Sequence, residues 1–325
     1  MEKLHVDVNL LEEFERGLDP RYPDRSRMPA RVLGYGEIST VFEIQAEGME
    51  GYAFKRLPIF KDRAEIGPYL ASYEEYNRIL SGEMGISLPP YGHAEFVSDS
   101  GRPIFFIIQK QLAASSIGNQ AIHTLPHEEV PVLVRLILRE LKKVWDFNHQ
   151  SDGLEVAIDG QISNWSIVDF DAESPHLDED TRFLYMDTST PLFRVEGKEQ
   201  LDPELFLRSA PSFLVWMLRL LFLEDVMTRY YDFRLVAIDL IANFYKEQKA
   251  EFIPRLVKTA NDFFASEASY LGIEPISEKD IASYYREDRI IWALYLALRK
   301  LDRFLHTRLM RKEYPYILPG KIKRK

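Results

Sequence analysis

Asp159 and Asn164 stand five residues apart in the stretch AIDGQISNW, and Asp187 closes the later stretch RFLYMD. Together they offer oxygen ligands for Mg²⁺ and a carboxylate able to orient or deprotonate an attacking hydroxyl, which is what a phosphoryl-transfer site needs. Asp and Asn also cap turns, so an ordinary turn remains an open reading of these three residues alone. If NWSIVDF and RFLYMD form a hairpin, Asn164 enters its first strand while Asp187 leaves its second. Both then face one end, within reach of Asp159 on the preceding loop. Asp169 and Asp171, in IVDFDAE, are rivals for the metal role. Asn164 and Asp169 would share one continuous strand, with no return to bring the second ligand back. Asp187 supplies that return and is favoured, and the acidic run 169–180 reads as a solvated turn.

The front half carries candidate phosphate-binding features. In LGYGEISTVFEI, Gly34 and Gly36 sit at an expected strand–strand turn, and Ser39 follows three residues later. Glycines let a backbone approach a polyanion closely and direct amide hydrogens toward it. The pattern is neither a P-loop, since no Gly-Lys-Ser/Thr follows, nor a Rossmann fingerprint, since a strand comes next. Lys55, in YAFKRL, shares a strand face with Ala53. Its ammonium could hold α- and β-phosphates if a carboxylate fixes it, and Glu74 or Glu75 on the next helix stands at a suitable distance.

These residues need elements to position them. VNLLEEFERGL reads as a short amphipathic helix ended by PRYPDRSRMP. Strands are expected on both sides of the glycine turn, at GYAFKRLPIF, and around the turn SDSG, with a helix over about 65–80 striped by Tyr69, Leu70, Tyr73, Tyr76 and Leu80. After Gln111 the pattern changes. Residues 130–147 form a strong candidate for a buried helix, two short strands follow, and long helical patterns dominate from about residue 203. These include SFLVWMLRLLFLEDVMTRYY, FRLVAIDLIANFYKEQ, EFIPRLVKTANDFFASEA and IIWALYLALRKLDRFLHTRL.

In this order, the glycine loop, strand lysine, helix glutamate, connector, Asp-x4-Asn loop and strand-end Asp resemble the protein-kinase-like superfamily, nearer to aminoglycoside and other small-molecule phosphotransferases. The resemblance covers residues 31–193. It implies an α+β, bilobal fold with a strand-rich N-lobe and a mainly helical C-lobe. The divisions expected are an N-terminal extension (1–30), a nucleotide-binding N-lobe (31–112) and a helical C-lobe with the catalytic loop and metal hairpin (113–325). It further implies ATP and Mg²⁺ as cofactors. Gly34, Gly36 and Ser39 would cover the phosphates, and Lys55 would hold them, paired to Glu74 or Glu75. The hinge around Gln109 and Gln111 would contact adenine through its backbone. Asp159 would be the catalytic carboxylate, and Asn164 and Asp187 the metal ligands. The implied reaction is phosphoryl transfer to a hydroxyl of a small-molecule substrate; transfer of another group, such as adenylyl, stays open. Ala157 and Ile158 stand where the family has His and Arg or Gly. Asp187 is followed by Thr188 and Ser189 rather than Phe-Gly, and no Ala-Pro-Glu follows. These departures keep alive a catalytically inactive nucleotide-binding or interaction protein, and beside it a helical interaction protein whose kinase-like string is accidental.

The totals set outer bounds. The chain has 325 residues, 46% hydrophobic and 28% charged, with a formal net charge of -10 and no cysteine. That balance suits a protein with a substantial core and gives no clear nucleic-acid signal. Disulfides, thiolate catalysis and Cys-ligated zinc are excluded. The seven histidines form no zinc pattern, and His149 reads as a helix-end residue that caps or packs. No stretch has the ~18 uninterrupted apolar residues of a membrane span. The N-terminal residues carry acids where a secretory signal needs an apolar segment, so a cytoplasmic location is expected. Acids of the rear half, Asp225, Asp232 and Asp239, could receive a cationic substrate, although solvated or capping roles are the expectation for each.

Overall fold

The computed structural model describes residues 4–36, 38–202, 205, 228–309, 314 and 316–318. Its front half contains α1 (Val8–Gly17), β1 (Ala30–Tyr35), β2 (Thr40–Ile44), β3 (Tyr52–Leu57), α2 (Ile66–Arg78), β4 (Tyr91–Val97) and β5 (Pro103–Lys110). The five strands form one antiparallel sheet in the order β1-β2-β3-β5-β4. A central strand buried on both faces reads as a continuous apolar run rather than an alternation, and PIFFII of β5 does so. Its residues still divide by parity. Ile104, Phe106 and Ile108 join Phe42 and Phe54 on one face, while Phe105 and Ile107 join Leu57 on the other.

Each face is covered by a helix. Asp7 caps α1 by accepting from the Asn9 amide at 2.9 Å, and the helix buries Leu11 and Phe14. The Phe14 ring meets Phe42 edge-on at 5.5 Å. Leu11 and Phe14 of α1 and Ala30 at the start of β1 therefore belong to the core of the first lobe. A buried ion pair adds to this contact, Arg56 of β3 to Glu15 of α1. On the opposite face α2 packs Ile66, Tyr69 and Tyr73 against Leu57, Phe105 and Ile107.

The rear half begins with α3 (Gly118–Ala121) and α4 (Val130–Gln150). Leu133, Val134, Ile137, Leu138, Leu141 and Val144 give α4 its apolar stripe, and Pro131 opens it where a missing N–H costs nothing. Short strands follow: β6 (Leu154–Val156), β7 (Trp165–Ile167), β8 (Phe183–Tyr185), β9 (Phe193–Val195) and β10 (Lys198–Glu199). The expected hairpin is present as β7 against β8, and β6 joins β9 and β10 in a second small sheet. Then come α5 (Phe233–Lys246), α6 (Ile253–Ser266) and α7 (Glu278–Phe304). Residues of α4, α5 and α6 share one core with those of β6 to β9. The helical pattern SFLVWMLRLLFLEDV, and Asp225 within it, lie outside the described residues.

The chain's last described residues return to the first lobe. Arg299, buried in α7, donates from Nη1 to the Tyr314 hydroxyl at 3.3 Å and places its guanidinium 3.9 Å from the Tyr316 ring centroid. Ile317 is buried in the same cluster as Phe14 and Phe106. A five-stranded lobe with a helix between β3 and β4, followed by a mainly helical lobe, is the α+β, kinase-like bilobal arrangement. Among the described residues no helix is long and apolar enough to cross a membrane.

Candidate active site

Residues 157–164 form a loop between β6 and β7 that is held at every turn. Asn148, near the end of α4, mimics a backbone strand. Its Oδ1 accepts from the Val156 amide at 2.8 Å and its Nδ2 donates to the Val156 carbonyl at 2.7 Å. The next residue, Ala157, donates its amide to the Leu192 carbonyl at 2.9 Å and accepts from the Tyr76 hydroxyl at 2.7 Å. Gly160 is where the loop rests on α5; a Cβ there would fall 2.5 Å from Val236 Cγ1, a separation no side chain tolerates. Asp159 Oδ1 accepts from the Gln161 amide at 3.0 Å, and Asn164 Nδ2 donates to the Asp159 carbonyl at 3.3 Å. The Met186 amide then donates to the Asn164 carbonyl at 2.8 Å. The loop and the residue before Asp187 are thus bonded together, as the hairpin geometry requires.

Lys55 reaches Asp187 across the two lobes. It lies on β3 in register with Val41 and Ile107, on the α2 side of the sheet. Its ammonium donates to Asp187 Oδ1 at 2.6 Å and to Ser189 Oγ at 2.8 Å, and the Ser189 hydroxyl donates to the same Asp187 oxygen at 2.8 Å. The lysine side chain is 13% exposed and the Asp187 side chain 37%, so the carboxylate stays open to an incoming ligand. Burial pushes the Asp187 carboxyl upward, but the Lys55 charge and the bonds from Lys55 and Ser189 outweigh it, leaving its pKa below the usual value. Asp187 is therefore ionised at neutral pH, the state in which a carboxylate binds a hard cation.

Asp159 is in the opposite condition. Burial, then repulsion from Asp239, pushes its carboxyl up to about 7. Asp239 sits in the middle of α5 and is buried, and the Asn243 amide donates to its carbonyl at 2.9 Å. Burial holds its own carboxyl above the ordinary range, against the pull of Lys246 and Arg229. The expectation that Asp239 is solvated or capping does not hold, whereas Asp232 does cap, accepting from the Leu235 amide at 3.0 Å. The sequence signal for a buried acid was present: Asp239 interrupts VAIDLIANF, an apolar run on both sides.

The remaining sequence candidates divide. Gly36 donates its amide to the Ser39 carbonyl at 3.0 Å, and a Cβ on it would fall 2.7 Å from Ser39 Oγ, so a side chain there would have to push that hydroxyl aside. Gly34 pairs with Val41 across the β1–β2 ladder beside an irregularity in register. Gln109, next to last in β5, donates its side-chain amide to the Met186 carbonyl at 2.9 Å, while the Gln111 backbone amide donates to the Gly51 carbonyl at 2.8 Å. The expected pairing of Lys55 with a helix glutamate is not formed. The ammonium's bonds go to Asp187 and Ser189, and Glu75 instead forks to Arg78 at 2.9 Å. Helix phase is the reason. Tyr69, Tyr73 and Tyr76 occupy the face that packs inward, and Glu74 and Glu75, both partly exposed, are rotated off it. Asp169 is exposed at positive φ and pairs with Arg182, as a solvated turn residue. His149 is exposed near the end of α4, its ring edge-on to that of Tyr270 at 6.2 Å.

Residues 23–303 match the profile of DUF6206, described as a family of unknown function. The chain belongs to this family. No curated protein sequence matches it. Among solved structures, WaaP in complex with acyl carrier protein is similar over 83% of this chain and 99% of that one, at 14% identity and a TM-score of 0.32. At that TM-score the two arrangements differ too much for one to inform the site of the other.

Proposed function

We propose that this protein is an ATP- and Mg²⁺-dependent phosphotransferase acting on a hydroxyl of a small molecule. The observation that carries the reading is the junction of Lys55, Asp187 and Ser189 beside the Asp159–Asn164 loop, formed from residues far apart in sequence. Donor chemistry fits the group it would hold. The Asp187 carboxylate and the Asn164 amide oxygen are hard ligands, and Mg²⁺ commonly takes one or two protein carboxylates with the rest from phosphates and water. Bound Mg·ATP would supply the phosphoryl group and neutralise its developing charge.

The chain's own residues then have distinct tasks. Lys55 would pair with phosphate oxygens, and the backbone at Gly34, Gly36 and Ser39 would lie over them. The backbone near Gln109 and Gln111 would face the adenine. Asp159 would accept the proton of the acceptor hydroxyl, and a carboxyl with pKa about 7 is suited to that at neutral pH. The missing lysine–glutamate pair favours a second reading, nucleotide binding without transfer.

Calorimetry with ATP tests both. Wild type should bind ATP in a magnesium-dependent manner, and Asp187→Ala and Lys55→Ala should each weaken binding by roughly tenfold or more, the size of one lost charge-assisted bond. A folded wild type that binds no nucleotide would remove both readings. Binding without turnover across a broad panel of hydroxyl acceptors would select the second.

A further inference from the structure

Three tyrosines of α2 stand where the lysine–glutamate link was expected. Tyr69, Tyr73 and Tyr76 recur at i, i+4 and i+7 on one helix face, and each is at most 3% exposed. The Tyr69 hydroxyl donates to the Ser189 carbonyl at 2.7 Å. Ser189 is the residue whose side chain joins Lys55 to Asp187. Seven residues along, the Tyr76 hydroxyl donates to the Ala157 carbonyl at 2.7 Å, two residues before Asp159. One rigid helix therefore grips the candidate metal segment and the candidate catalytic loop at the same time.

The rings fix where those hydroxyls point. Tyr69 meets Phe60 and Phe105 edge-on at 5.3 and 5.5 Å, anchoring it to the sheet. Tyr73 stacks on Tyr69 at 6.4 Å and meets Tyr91 at 5.5 Å. Tyr76 stacks on Phe193 of β9 at 6.4 Å. The rings of this one helix face thus reach the five-stranded sheet at one end and β9 of the second small sheet at the other. Burial keeps the Tyr69 and Tyr76 hydroxyls protonated far above neutral pH, so both remain donors.

We propose that Tyr69 and Tyr76 are positioning residues that couple α2 to both halves of the site, in place of a lysine–glutamate pair. The inference rests on the proposed function for what the site does, and on hydrogen bonds alone for how it is held. Any displacement of α2 along its axis would move Ser189 and Ala157 together, disturbing the Lys55–Asp187 contact and the placement of Asp159 in one motion.

Tyr69→Phe and Tyr76→Phe test this, because each removes one hydroxyl and leaves the ring packing in place. Hydrogen exchange read by peptide mass spectrometry reports the clasp without any ligand. In Tyr69→Phe the segment around Asp187 and Ser189 should exchange about tenfold faster, with 157–161 changed less. In Tyr76→Phe the order should reverse. Calorimetry then separates positioning from general destabilisation: Tyr69→Phe should weaken Mg·ATP binding about tenfold while leaving metal-free ATP binding within about twofold. Tyr245→Phe, a stacked tyrosine on α5, is the control and should change neither. Exchange that rises uniformly or not at all would overturn the clasp whether or not ATP binds. Local exchange as expected with Mg·ATP affinity intact would overturn the positioning role. A wild type that binds no ATP would fail the proposed function and, with it, the positioning role, while the exchange arm still decides the clasp.

Discussion

Replacing Asp159 by Asn should stabilise the folded protein, and by an amount that depends on pH. In the unfolded chain this carboxyl loses its proton near 3.8, whereas in the folded protein it keeps it up to about 7. Folding therefore takes up a proton between those values. The stability this confers is fully present below pH ~4 and is lost as the pH rises through about 7, leaving a buried charge as a net penalty. At ~1.4 kcal/mol per pH unit, the whole interval corresponds to ~4 kcal/mol as a ceiling. Asp159 is half-buried, so solvent screens part of this, and Asp239 relaxes once its neighbour is neutral. The expected gain is ~1–3 kcal/mol at pH 8 and close to zero at pH 4. An Asn carbonyl can keep the bond from the Gln161 amide, so the loop itself should survive. Urea unfolding of both proteins at about pH 4, 6 and 8 gives the comparison. A gain that does not vary with pH, or a loss at pH 8, would refute the account of a desolvated carboxylate beside Asp239. The same variant should abolish phosphoryl transfer while leaving nucleotide affinity nearly unchanged.

Other perturbations reach other parts of the structure. If Asp159 is the base, turnover of any accepted hydroxyl substrate should climb with pH through about 7 as the carboxylate form fills, and a flat profile from pH 6 to 8 would exclude that role. Gly160→Ala should cost ~1–3 kcal/mol by forcing a methyl into Val236, and Val236→Ala in the same chain should recover most of the loss in urea midpoint. Arg56→Met strands the Glu15 carboxylate in the first-lobe core and should cost ~3–5 kcal/mol. The double variant Arg56→Met, Glu15→Leu should lose far less, a difference that thermal unfolding resolves.

The parts of the site legible in the sequence were those with local signals. Strands flanking Gly36, the strand carrying Lys55, and the hairpin that returns Asp187 to Asn164 follow from alternation and turn residues, and all are present. Rotation about a helix axis was not legible. Glu74 and Glu75 stood at a suitable distance along the chain, but which side of α2 faces the site is decided by the tyrosines, whose rings outweigh any single charge in buried area. The stripe Tyr69, Tyr73, Tyr76 was readable as apolar, yet apolar patterning is silent about where a hydroxyl at the end of a ring finds its acceptor. Those acceptors, Ser189 and Ala157, are 120 and 81 residues away. The contribution of α1 and Ile317 to the first-lobe core is equally non-local: nothing in VNLLEEFERGL names the strand its Phe14 meets.

The return of Ile317 to the first lobe has a mechanical consequence. Two connections now join the lobes, the chain leaving β5 at Lys110 and the one that comes back from Arg299 to Ile317. Two bodies joined by one run of chain can part by bending it; joined by two, they form a closed ring that cannot part without releasing one attachment. Separating the lobes of this protein would therefore have to undo the Arg299–Tyr314 contact and uncover Ile317, as well as break the Lys55–Asp187 bridge between them.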